Sequence, residues 1–111
     1  MSRTRFSAFE RSLRSRLAKL IHEEPLLHGT LSLRRVTCGK KGCRCTRGDR
    51  HPALYLVFRQ EGEIRQVFIP RGMAKEVRCW VQTYHDVQDL LEELSDRTME
   101  ELKARKRKAN S

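Results

Sequence analysis

Three cysteines and a histidine fall within one short stretch, Cys38-Gly39-Lys40-Lys41-Gly42-Cys43-Arg44-Cys45 and then His51, in the order Cys-x4-Cys-x-Cys-x5-His. Thiolates and imidazoles are the ligands of four-coordinate structural zinc, so these four residues predict one bound zinc ion. Gly39, Gly42 and Gly48 permit the left-handed backbone angles that a loop folding onto an ion needs. The spacing departs from the common C-x2-C pair. An iron–sulfur cluster on the same ligands and a segment with no tightly held metal therefore stay open beside zinc. Cys79 reads first as a small buried apolar residue, and second as a replacement for His51 as fourth ligand. His22, His28 and His85 have no companion at ligand spacing and read as ordinary residues, His22 near a helix end where a cation is favourable.

The same stretch carries Arg34, Arg35, Lys40, Lys41, Arg44, Arg47 and Arg50, with Asp49 against them. Zinc on three thiolates and a neutral imidazole is net negative, so some of these cations stabilise the site itself. Seven exceed that need, and a rigid loop can present the rest to phosphates at fixed positions. Over the 111 residues, 24 Lys and Arg stand against 14 Asp and Glu, a formal charge of +10. That balance points to a polyanion, DNA or RNA first, with an anionic membrane surface or an acidic protein behind. Arg11 and Arg14, and Lys106 and Arg107 near the C-terminus, are expected to add phosphate contacts. For the two helical arginines an ordinary solvated face accounts for the charge equally well.

Catalytic signals are scarce. The sequence has no local Ser, His and Asp motif, no Gly-rich phosphate loop and no His-Glu-x-x-His. A catalytic zinc needs an open position and a base, and Asp49 and Glu61 are the nearest carboxylates along the chain. The chain is therefore expected not to be an enzyme. A thiol-based redox sensor is a further reading, because Arg44 and Arg47 beside Cys43 and Cys45 favour thiolates.

The elements that must position these residues follow from periodicity. Phe6, Phe9, Leu13, Leu17, Leu20 and Ile21 recur at helical spacing, and Ser7 with Glu10 forms a capping-box pattern, predicting a helix from about Ser7 to Glu24 that Pro25 ends. Gly29 breaks the chain. Thr30 to Thr37 then alternates as a strand, with Leu31, Leu33 and Arg35 on one side. Leu54 to Arg59 is a second strand by its β-branched and aromatic content. Glu61-Gly62 reads as a turn, and Glu63 to Pro70 completes a hairpin. From about Met73, Val77, Trp80, Val81, Tyr84, Val87, Leu91 and Leu94 mark one helical stripe for packing on the sheet and the first helix. Ser95-Asp96 interrupts that helix or starts another, and Lys103 to Lys108 is a basic run, helical or disordered.

Only 38% of the residues are hydrophobic, so the core is modest and a metal cross-link would help it. No apolar run approaches the roughly 18 to 20 residues of a membrane span, and the start of the chain lacks an apolar signal region. A cytoplasmic location with no membrane partner is the expectation. In that compartment clustered cysteines are metal ligands or reactive thiols rather than disulfides.

Cys38-Gly39-Lys40-Lys41-Gly42-Cys43-Arg44-Cys45, then Gly48, His51 and Tyr55, resembles a family of short uncharacterised prokaryotic proteins. Its pattern is C-G-K-x-x-C-x-C…G…H-G-P-Y, followed by a hairpin and a long C-terminal helix. The likeness spans about Gly29 to Leu94, specific in the loop and loose elsewhere. After the histidine this chain departs from it, reading His51-Pro52-Ala53-Leu54-Tyr55. The resemblance implies no established activity. It implies an association with mobile elements, which favours DNA over RNA.

The expected fold is α+β: an N-terminal helix, an antiparallel sheet of about three strands stapled by a zinc knuckle, and a long C-terminal helix. One domain would span 1–102, with a basic tail over 103–111. The expected function is a non-enzymatic, nucleic-acid-binding zinc-knuckle accessory protein of a mobile element or phage system. Its protein partner would be of the transposase or recombinase kind, and the C-terminal helix could pair two copies. The alternative is a protein–protein adaptor with a structural zinc.

Overall fold

A computed structural model describes residues 6–36 and 51–110. Helix α1 spans Ala8–Glu23, strand β1 Thr30–Val36, β2 His51–Gln60, β3 Glu63–Ile69, and helix α2 Ala74–Ala109. The strands form one antiparallel sheet in the order β1-β2-β3. The arrangement is α+β, with a helix, a three-stranded sheet and a long helix in chain order. It resolves into two compact units, one of residues 27–82 holding the sheet, the other of residues 1–26 and 83–111.

In the sheet unit, β2 and β3 are joined by the two-residue turn Glu61-Gly62, with φ of 52° and 82°. Positive φ at both positions matches the right-handed twist of the flanking strands. The turn sets the register Gln60↔Glu63, and with it Leu54↔Ile69 and Tyr55↔Phe68. One face carries Leu31, Leu54, Leu56, Phe58 and Ile69, which pack with Val77, Val81, Ala74 and Trp80 of α2. Pro70 ends β3, and a 3-10 turn over Arg71–Met73 leads into α2. The Leu27 amide donates to the Trp80 carbonyl at 3.3 Å, tying the connector before β1 to α2. Gly29 sits where that connector passes the core. A Cβ there would lie 2.7 Å from Leu56 Cδ1 and 3.0 Å from the Val57 carbonyl oxygen. Its glycine is thus demanded by close approach as well as by chain breaking.

In the other unit, Ser7 caps α1 by accepting from the Glu10 amide at 3.1 Å. The Glu10 carboxylate accepts from Arg14 Nε at 3.2 Å. Leu13 of α1 is buried with Leu90 and Leu94 of α2, and Leu17 and Leu20 pack beside them.

Several expected core positions lie elsewhere. Phe9 and Ile21 are half exposed, at 52% and 51%, because two helices alone cover little more than one row of side chains. Arg97 sits over the Phe9 ring at 4.4 Å. Leu33 is exposed at 67% and Leu91 at 51%, while Leu90 takes the buried place. The three-four stripe assumed one row along α2, but the buried row follows the packing partner, the sheet cluster for the first turns and Leu13 of α1 farther on. Val77 and Val81 serve the sheet, and Val87, Leu90 and Leu94 are the buried residues farther on.

Ser95-Asp96 does not interrupt α2, and the basic run Lys103 to Lys108 is helical. Glu101 pairs with Arg105 at 2.7 Å and Glu100 with Lys103 at 4.0 Å. Lys106, Arg107 and Lys108 fall in the last turn, where cations complement the helix dipole.

Candidate metal and nucleic-acid site

Val36↔His51 is the last register pair of β1 and β2. The two residues that bracket the cysteine-bearing segment are therefore held side by side, about 4.5 to 5.5 Å apart at their Cα atoms. Cys38, Cys43 and Cys45 lie outside the described residues, as do Lys40, Lys41, Arg44, Arg47, Arg50 and the His51 side chain. Among the described residues no group of three His, Cys, Asp or Glu side chains is placed to hold a metal. Three thiols and an imidazole on a segment closed by a β-ladder fit structural zinc in donor chemistry. Cys79, expected to be buried, is exposed on α2. Val77 and Val81 take the inward positions on that turn, and residue 79 points away from them.

Of the remaining expected cations, Arg34 and Arg35 end β1 in the sheet unit. Arg35 is exposed opposite Pro52. Arg34 is half buried. Its guanidinium lies 4.9 Å over the Tyr55 ring, and its Nε donates to Ser32 Oγ at 3.3 Å. Arg11 and Arg14 are exposed on α1, in the other unit. Arg14 is spoken for locally, 3.8 Å over the Phe6 ring and paired with Glu10. Lys106 and Arg107 are exposed on the last turn of α2.

Charge divides unequally between the units. Residues 27–82 hold half of the Lys and Arg but only four acids, Asp49, Glu61, Glu63 and Glu76. Most of the +10 charge thus belongs to the sheet unit, while the two-helix unit is nearly balanced by its own Asp and Glu.

Two features of the sheet unit were not singled out from sequence. Arg71 and Arg78 flank a shallow groove floored by Leu33, Leu54, Ile69 and Ala74. On the sheet face opposite α2, Tyr55 and Phe68 meet edge to face, with centroids 5.8 Å apart and planes at 67°. Phe68 is 52% exposed. The signal was available in principle, since a two-residue turn at 61 and 62 forces Tyr55 opposite Phe68.

Among the described residues, no helix is long and apolar enough to cross a membrane. The sequence model of a domain of unknown function, DUF6788, matches residues 7–78, more than half of the chain. No curated protein and no solved structure matches it.

Proposed function

The chain belongs to the DUF6788 family, and because that family carries no assigned activity, we propose from the residues themselves that this is a non-enzymatic nucleic-acid-binding protein, for DNA before RNA. The observation that carries the reading is the density of cations around the β1–β2 connection, from Arg34 and Arg35 through Arg50, with Asp49 against them. The confinement of most net charge to the sheet unit supports it. In this reading Cys38, Cys43, Cys45 and His51 would hold zinc. The ion supplies a cross-link that keeps the connection rigid. Lys40, Lys41, Arg44, Arg47 and Arg50 then meet phosphates from fixed positions, which sets register on the polymer without reading sequence. Lys106 and Arg107, and Arg11 on α1, add contacts that position less strictly. The protein would act in the cytoplasm as an accessory to a mobile-element or phage enzyme such as a transposase or recombinase.

The test is binding to duplex DNA as a function of salt. The logarithm of affinity should fall linearly with the logarithm of salt, by about 0.9 per neutralised phosphate. Arg44→Ala with Arg47→Ala should weaken binding and flatten the slope by about two contacts, with zinc retained. If truncation from Lys103 onward abolishes binding and the arginine pair is silent, the connection has no part in it. No binding to any nucleic acid at low salt rejects the reading. An adaptor role is the second reading, favoured by the exposed Leu91, Met99 and Leu102 on α2. The same surface is where two copies of the chain would pair.

A further inference from the structure

We propose that the sheet face opposite α2 is a stacking platform for unpaired bases of single-stranded DNA, built from Phe68, Tyr55 and Arg34. This rests on the nucleic-acid reading above and names what that reading leaves open, the part of the polymer other than phosphate that the protein holds. The face is defined by register. Ser32, Tyr55 and Phe68 form one cross-strand row over all three strands, and Arg34 reaches back from the next row to cover the Tyr55 ring. A sheet packed on one side ordinarily turns polar side chains to water on the other. Here that alternation fails at chosen places. Phe68 is 52% and Ile64 68% exposed, on an edge strand where a polar side chain would cost nothing.

The geometry suits stacking. The edge-to-face contact with Tyr55 holds Phe68 in one orientation, and half of its surface stays open. Tyr55 is half buried and serves as the support on which Arg34 lies. The Arg34 guanidinium carbon stands 4.9 Å from the Tyr55 ring centroid, and a planar guanidinium stacks on bases as aromatic rings do. Phe68 and Arg34 thus offer an aromatic ring and a planar cation beside Tyr55. The platform belongs to the unit that carries most of the positive charge, so the backbone of a bound strand is attracted to the same unit as its bases. Duplex bases are already stacked and cannot use such planes, so the partner is a single strand.

The full chain is titrated with a short oligothymidylate, the RNA of the same length and a duplex, at one low salt concentration. Phe68→Leu keeps apolar bulk and removes the π-face. It should weaken single-strand binding by about 5- to 150-fold, the range for losing one base–aromatic stack, while duplex affinity stays put. Phe68→Tyr should bind as the parent does. Arg34→Lys keeps the charge and loses the plane, so it should weaken single-strand binding more than duplex binding. If Phe68→Leu binds the single strand within twofold of the parent while duplex binding persists, the platform is refuted and the phosphate reading stands. A Phe68→Leu loss shared equally by the duplex also refutes it, because the ring would then be structural. RNA binding tighter than DNA overturns the assignment to DNA. Absence of binding to all three polymers by the parent removes both proposals together.

Discussion

Gly29→Ala tests how the connector before β1 seats on the sheet that carries the candidate site. The new Cβ would stand 2.7 Å from Leu56 Cδ1, 3.0 Å from Leu56 Cγ and 3.0 Å from the Val57 carbonyl oxygen. The carbonyl cannot retreat, because Val57 is paired with Thr30 on one side and Gln66 on the other. Leu56 is 4% exposed among Leu54, Ile69, Val77 and Val81, so its side chain yields only by leaving a favourable rotamer. Overpacking of this kind costs about 1 to 3 kcal/mol, offset by about 0.4 to 1 kcal/mol from the stiffer unfolded chain. A net loss of about 1 to 2 kcal/mol is expected, which in a domain near this size lowers the melting temperature by about 5 to 15 °C. Urea unfolding followed by Trp80 fluorescence is the assay, since Trp80 packs on the same cluster. The midpoint should fall at unchanged slope. In a Leu56→Ala background the two nearest atoms are gone, so the cost of Gly29→Ala should shrink by about 1 kcal/mol or more, a coupling expected of groups in contact. Additivity of the two substitutions within about 0.5 kcal/mol would refute the clash.

Leu90→Ala should destabilise by about 2 to 5 kcal/mol, as for a buried leucine, whereas Leu91→Ala should stay within about 0.5 kcal/mol; denaturant melts of the pair decide which row α2 buries. Gly62 has φ of 82° with open space around its Cβ direction, so Gly62→Ala should cost about 1 to 2 kcal/mol through backbone strain alone, read as a lower thermal midpoint. Purified protein should hold close to one zinc per chain by elemental analysis. Cys43→Ser should release it and destabilise the sheet unit by about 3 kcal/mol, the closure term for a cross-linked loop of about 15 residues. Full stability after strong chelation, or stoichiometric iron with visible absorbance, would oppose the zinc assignment.

Local patterns and tertiary packing divided the determination of this protein. Ser7 before an apolar-periodic run, Pro25 after it, the turn pair Glu61-Gly62 and the switch of period near Met73 each act over a few residues. The helices, the hairpin and their order were therefore legible in the sequence. The four candidate ligands and most of the cations beside them rest on ligand type and spacing alone, since Cys38, Cys43, Cys45 and the His51 side chain lie outside the described residues. Burial was less legible, since it depends on which surface arrives from elsewhere. Phe9, Ile21, Leu33 and Leu91 are as apolar as the residues that are buried, and only packing leaves them exposed. Cys79 faces out because Val77 and Val81 face in. Gly29 reads as a chain breaker, yet Leu56, far along the chain, makes it necessary. The Arg34–Tyr55–Phe68 row exists only once two ladders bring three strands into register, and no single strand contains it.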